Sequence, residues 1–340
     1  MSTFLRRFPS LPVLALSLAL LAGLAGAASA PAPSPAAATA PKAHAAAAYL
    51  TGIGDEQTDM FGNPLWQQLH TKIARYIAPY DAVAHRDSLA KATEWIGAAE
   101  AQHVKILVAF YHSEHTPTRL PSVAQYQHDV QKFIKHFPYV RQYQAWDEAN
   151  RGNVPHLFSS PSATATAQYY QALRRVCRIC TVIGLDVLDQ NYTGPTIRYI
   201  LEFKREIGHL RTVMPSIWGL HDYADVNRLE SWRTREVTRV LGGQVWLTET
   251  GGIVQFGGAF PNRNGSGLAR AANVIKYTFA LAGSQSSRIK RLYLYNWSGG
   301  NSSTRFDAGL TDAHHRPRAG YVVVCRALHA KKCAVKISRH

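Results

Sequence analysis

Acidic residues are scarce in this chain: 22 Asp and Glu stand against 38 Lys and Arg, a formal charge of +16 over 340 residues. Such an imbalance points to anionic polymers as electrostatic partners. The basic residues are scattered, however, and gather only at Lys331, Lys332 and Lys336. No basic stripe interleaved with aromatics marks a nucleic-acid groove, so no nucleic-acid partner is expected. Cysteine is also sparse, with four residues in two close pairs, Cys177/Cys180 and Cys325/Cys333. Beyond residue 49 there is no long Pro/Gly/Ser linker, no charge block and no second long apolar run. That leaves roughly 290 residues to be read as one large domain.

The amino-terminal segment is of a different kind. Arg6 and Arg7 precede an apolar stretch from Leu11 to Ala25, followed by small residues. This is a secretory leader over residues 1–30, with cleavage expected near Ala27, and its removal leaves a charge of +14. A membrane association is expected only if the leader stays attached. Residues 31–47 are almost entirely Ala and Pro and have nothing to bury, so they read as a disordered linker. Export implies an oxidising compartment, and two local disulfides are the default for the four cysteines. The Cys177–Cys180 spacing falls at the end of a predicted helix rather than its start, which argues against a redox role. The expected location is extracellular, with cell-wall association through anionic polymers open.

From residue 48 onward, short apolar runs alternate with helical periodicity. Strands are predicted at 48–53, 73–77, 105–110, 142–147, 181–186, 215–220, 244–249 and 290–296. Helices are predicted near 61–70, 87–102, 122–136, 164–178, 194–208, 228–240, 266–282 and 318–329. Eight strand–helix repeats predict an α/β fold, a (β/α)8 barrel spanning 48–340 with a basic tail. A doubly wound open sheet is the runner-up, and it lacks the Gly-rich phosphate turn after its first strand.

In such a barrel, residues at the carboxyl ends of the strands carry the chemistry. Two glutamates fall there, Glu148 closing strand four and Glu249 closing strand seven. Two carboxylates on one rim are what glycosidic cleavage requires: an acid/base and a nucleophile on either side of the bond. The acid/base needs a carboxyl that holds its proton. Trp297, with Trp146 and Trp218 as weaker candidates, offers a flat apolar face for a sugar ring, the alternative being barrel-rim core. His112, Glu114 and His115 form a His-x-Glu-His group, but they lack a zincin helix pattern and read as loop residues, so no metal is assigned. Asp55, Glu56 and Asp186 are weaker rim candidates, and His314-His315 reads as an exposed turn.

Trp146-Asp147-Glu148-Ala149-Asn150 resembles the Trp-Asn-Glu-Pro-Asn signature of the clan A retaining glycoside hydrolases, and Thr248-Glu249-Thr250-Gly251 resembles their nucleophile strand. Arg75, Tyr111-His112, His221-Asp222-Tyr223 and Asn296-Trp297 follow in the family's strand order. The resemblance implies a retaining glycosidase acting on a poly- or oligosaccharide, without a cofactor. Glu148 would be its acid/base and Glu249 its nucleophile. Arg75, His112, Trp146, Asp147, His221, Tyr223 and Trp297 would line the substrate. One residue departs from the pattern: Asp147 stands where the family has Asn. An ionised carboxylate only accepts hydrogen bonds, whereas the amide also donates. Asp147 is therefore expected to work protonated, with an acid-shifted optimum. A sugar-binding barrel that has lost turnover is the competing expectation, and a wall-adhesion module using the positive surface is a third.

Overall fold

The structure, a computed structural model, describes residues 49–301, 304–329 and Cys333. The expected leader, the Ala/Pro linker and the basic tail other than Cys333 lie outside the described residues. Eight barrel positions are filled in chain order by β1 (Leu50–Gly54), β2 (Ile73–Pro79), β3 (Lys105–Tyr111), β4 (Gln142–Gln144), the pair β5 (Thr181–Ile183) and β6 (Asp186–Leu188), β7 (Ile217–His221), β8 (Gln244–Thr250) and β10 (Ile289–Tyr295). All pairings among them are parallel, and β1 joins β2 on one side and β10 on the other. β5 pairs with β4, and β6 pairs with β7. Only Gly184 and Leu185 separate the two halves, and they continue the ladder towards β7: Gly184 donates to the Ile217 carbonyl at 3.0 Å and Gly219 donates to Leu185 at 2.7 Å. β5 and β6 are thus one interrupted fifth strand, and the barrel closes through it. A Cβ on Gly184 would lie 2.3 Å from Pro215, so the interruption requires glycine.

The helices follow from the sequence period. In α6 (Thr193–His209), Thr196, Ile200, Phe203 and Ile207 recur at helical spacing, and all four are buried against the barrel. Ser122 caps α4 (Val123–His136) by accepting from the Gln125 N–H, and Ser162 caps α5 (Ala163–Val176) by accepting from Ala165. α3 (Arg86–Ala101), α9 (Ser266–Ser284) and α10 (Ala319–His329) complete the outer layer close to the expected bounds. Two predicted helices are modified. The first is divided at Asn63 into α1 (Asp59–Gly62) and α2 (Pro64–Leu69), because Asn63 takes an extended backbone, caps Leu65 and precedes a proline. The sixth begins only at Trp232, as α8 (Trp232–Leu241), after a separate short α7 (Tyr223–Val226).

The floor of the barrel is apolar, with Ile73, Leu107, Ile183, Trp246 and Tyr293 in contact. Two short strands, β9 (Gln255–Phe256) and β11 (Phe306–Asp307), pair as an antiparallel ribbon. Cys177 is paired with Cys180 and Cys325 with Cys333, the local pattern expected. Cys177 is the C-cap of α5. Among the described residues, no helix is long and apolar enough to cross a membrane.

Candidate active site

Above the apolar floor the barrel interior turns polar. Arg75, in the middle of β2, bonds through Nε to Gln144 Oε1 at 2.8 Å and through Nη1 to Glu249 Oε1 at 2.7 Å. Its Nη2 donates to Asp147 Oδ1 and lies 3.1 Å from Asp186 Oδ2. One guanidinium therefore gathers groups from four other stretches of chain: Gln144 at the end of β4, Asp147 in the turn beyond it, Asp186 at the start of β6 and Glu249 in β8. Gly219 leaves room for this assembly, since a Cβ there would meet Asp186 Oδ1 at 2.2 Å, Gln144 Nε2 at 2.8 Å and Thr248 Oγ1 at 2.9 Å.

The backbone supplies two irregularities that aim the carboxylates. β4 ends at Gln144, so Glu148 does not close a strand as expected; it lies in the following turn with φ of 43°. Asp147 and Ala149 anchor that turn by donating to the Phe110 and Asp186 carbonyls at 2.8 and 3.0 Å. Glu249 lies inside β8, next to its end. Between the pairs Leu220–Leu247 and His221–Glu249 the register slips, leaving Thr248 as an extra residue. In a regular strand successive side chains face opposite ways. The bulge lets both Thr248 and Glu249 turn inward, Thr248 donating to Asp186 Oδ1 and Glu249 bonding to Arg75.

His221, the last residue of β7, joins the two glutamates. Its Nδ1 is 3.0 Å from Glu148 Oε1 and 3.6 Å from Glu249 Oε2, while its Nε2 is 3.0 Å from Asp186 Oδ2. The Tyr223 hydroxyl donates to Glu249 Oε2 at 3.3 Å. Arg151, from the loop beyond Glu148, places Nη1 3.2 Å from Glu148 Oε2. Arg75, Asp147, Glu148, Asp186, His221 and Glu249 are all buried.

Burial and neighbours set the protonation pattern. Burial pushes Asp147 well above the ordinary carboxyl range, and Arg75 offsets only part of this. Burial likewise raises Glu249 against the opposing pull of His221 and Arg75. Glu148 goes the other way: Arg151 and His221 outweigh its desolvation and hold it below its ordinary value. The expectation of a proton-holding Glu148 is thus reversed in this arrangement, because a guanidinium and an imidazolium both touch it. For Asp186, too, burial is outweighed, by His221 and Arg75. Burial disfavours charge on His221, yet Asp186 and Glu249 outweigh it and keep the ring protonated.

One nitrogen of His221 and one oxygen each of Asp147 and Glu249 lie within 4.8 Å of one another. Arg75 bonds to both of those carboxylates, so a guanidinium already supplies the positive charge there, and we assign no metal to the cluster.

Of the residues singled out in the sequence, Arg75, Asp147, Glu148, His221, Tyr223 and Glu249 come together, along with Asp186. The three tryptophans do not join them. Trp297 is fully buried and packs edge-on against Trp66 of α2 and Tyr321 of α10, so it presents no open face to a sugar. Trp146 stacks on Tyr169 at 5.5 Å, and Trp218 packs against Phe203 of α6; both belong to the layer between barrel and helices. His112 stacks on Phe158 at 5.5 Å, outside the cluster. Glu114 is taken by Lys91 and His115 by Asp87, at 2.9 and 3.0 Å. Asp55 accepts from the Gln57 and Ser298 N–H groups, both at 2.7 Å, which ties the end of β1 to the loop after β10. Gln144 and Arg151 were not singled out. Arg151 carried a usable signal, a cation three residues beyond a candidate acid; Gln144 carried none.

No known family's sequence profile matches this chain, and no curated protein is detectably similar in sequence. Solved structures do match. A psychrophilic family 10 endo-β-1,4-xylanase superimposes with a TM-score of 0.60 at 11% identity, over 82% of this chain and 96% of the xylanase. A xylanase from Paenibacillus barcinonensis, in complex with a conduramine derivative, gives 0.60 at 10% identity, over 82% and 95%. A family 39 glycoside hydrolase from the gut symbiont Bacteroides cellulosilyticus gives 0.54 at 14% identity, over 83% of this chain but 64% of that longer one. At these identities the likeness is one of fold: the chain has the (β/α)8 barrel that family 10 and family 39 glycoside hydrolases share.

Proposed function

We propose that this chain is an exported, retaining glycoside hydrolase that cleaves O-glycosidic bonds of a poly- or oligosaccharide. The observation that carries the reading is His221 Nδ1 reaching both glutamates, at 3.0 and 3.6 Å. The two carboxylate oxygens can lie no farther apart than those distances together. This favours the ~5–5.5 Å separation of retaining enzymes over the ~6.5–9.5 Å that accommodates a water in inverting ones. The fold shared with xylanases and a family 39 hydrolase supports the same reading.

Glu249 attacks the anomeric carbon while the glycosidic C–O bond breaks, and the leaving oxygen takes the proton of Glu148. Glu148, now a carboxylate, removes a proton from water; the water oxygen bonds to the anomeric carbon and Glu249 is released. Arg75 and Tyr223 hold Glu249 in line, and His221 sets the distance between the two groups. Turnover requires a proton on Glu148 and a charge on Glu249, the reverse of the resting bias. The same reversal favours a second reading, a sugar-binding barrel without turnover.

Intact mass after exposure to 2-deoxy-2-fluoro glycosides of several sugars, between pH 4 and 7, separates the two. A covalent adduct mapping to Glu249 is expected, and it should persist in Glu148→Gln with an activated leaving group. Glycan binding without any adduct would favour the binding protein.

A further inference from the structure

Arg151 is the third residue beyond Glu148, in the loop that links β4 to α5. Its Nη1 lies 3.2 Å from Glu148 Oε2 and 3.2 Å from the Tyr111 hydroxyl, and its guanidinium carbon sits 4.5 Å over the Phe158 ring. Phe158 is fixed in turn by backbone bonds to Val154 and by the stacked His112 ring. The Arg151 side chain is 3% exposed, yet Gly152, Asn153, His156 and Leu157 of the same loop are at the surface. A planar cation from a loop with exposed neighbours therefore lies beside the candidate acid, backed by an aromatic plane. This arrangement opposes the chemistry of an acid, because a guanidinium 3.2 Å from Glu148 favours its charged form.

We propose that Arg151 is a specificity residue for an anionic glycan: it leaves Glu148 for the carboxylate of a uronic-acid-bearing sugar, and substrate binding thereby frees Glu148 to act as the acid. The inference rests on the glycosidase reading and adds the substrate class to it. Exchanging one carboxylate for another keeps the guanidinium paired with an anion, and a mobile substrate carboxylate can meet it in the planar two-bond geometry it prefers. A neutral sugar offers only hydroxyls, and pulling Arg151 away for them would leave a poorly compensated charge. Once the cation has moved, one of the two groups that oppose burial at Glu148 is gone and only His221 is left, which favours uptake of a proton from solvent. The chain's formal +16 adds long-range attraction for a polyanion.

The test uses the full secreted chain, uronic-acid polysaccharides such as glucuronoxylan, hyaluronan and polygalacturonate, and the same polymers after chemical reduction of their carboxyl groups. Cleavage and binding are both measured, at about 0.5 M salt to screen non-specific attraction. Cleavage of one native polymer at least about tenfold faster than of its reduced form is expected, as befits one charge-assisted hydrogen-bonded pair. Arg151→Gln should abolish that preference and Arg151→Lys should keep part of it. Arg205→Gln, which removes the same charge from an exposed helix position, should leave it intact. Equal cleavage of native and reduced polymer, or a preference that survives Arg151→Gln, overturns the inference and leaves the glycosidase reading standing. Arg151-dependent binding of native polymer without any cleavage keeps the carboxylate site and overturns the glycosidase reading. Neither binding nor cleavage overturns both.

Discussion

Arg75 and Glu249 are joined at 2.7 Å inside the closed barrel, both buried. The same guanidinium also faces Asp147 and Asp186, so one cation serves three carboxyl groups. Removing it strands their charges where water does not reach. Arg75→Met should destabilise the fold by about 3–5 kcal/mol, the range for breaking a buried ion pair from one side. Urea denaturation at pH 7 measures this, and a loss below ~1 kcal/mol would mean that the carboxyls simply take up protons.

Asp147 offers a second test. Its Oδ1 accepts from Arg75, and its buried Oδ2 has no hydrogen-bond partner among the described residues. If Asp147 works as a neutral donor, activity falls as pH rises through its elevated pKa. Asp147→Asn keeps the acceptor and adds a permanent donor. The variant should lack that alkaline limb and gain activity at pH 7 by several-fold. A pH–rate profile from 4 to 8 decides, and an unchanged or lower rate at pH 7 rejects the role.

Trp297 distinguishes core from platform. Its packing against Trp66 and Tyr321 predicts that Trp297→Ala lowers stability by about 3–5 kcal/mol, as large-to-small core changes do. Glycan affinity per folded molecule should be unchanged. Affinity electrophoresis alongside thermal unfolding measures both, and a loss of affinity in a protein of normal stability would restore the platform.

Asp222 gives a pH signature to the fold. It follows His221 at the end of β7, and burial pushes its carboxyl up to about 7, with Asp225 adding repulsion and Thr250 and His221 opposing. The folded value is above the unfolded one, so its contribution is fully present below about pH 4 and is lost as pH rises through about 7. Asp222→Asn should therefore be the more stable form at pH 8, by roughly 2–4 kcal/mol, and should match the parent near pH 4. Urea midpoints at the two pH values check the sign.

Much of the scaffold was legible because strands and helices here bury one face against one core. Thr196, Ile200, Phe203 and Ile207 declare α6 by spacing alone. Glu249 was legible as the polar end of an apolar run. What the sequence did not carry was backbone irregularity and charge environment. The Tyr143–Trp146 run reads as a continuous strand, yet Trp146 is drawn out to Tyr169 and the chain turns at Glu148 with a left-handed φ. The bulge at Thr248 leaves no mark in a stretch whose residues suit either face. The direction of the shift at Glu148 depends on Arg151 and His221 arriving from a loop and another strand, and Trp297 looks the same in sequence whether it faces a sugar or a helix.

The interrupted fifth strand has a consequence for assembly. Asp186 stands just past the gap at Gly184–Leu185, and its cation, Arg75, comes from the second strand, across the barrel interior. A half-formed sheet on one side of the gap would hold Asp186 and Glu249 without their arginine, and on the other side Arg75 with only Asp147 of its three acids. Partial barrels are therefore penalised by their own unpaired charge, and the last strand pairing is coupled to completion of the charged layer.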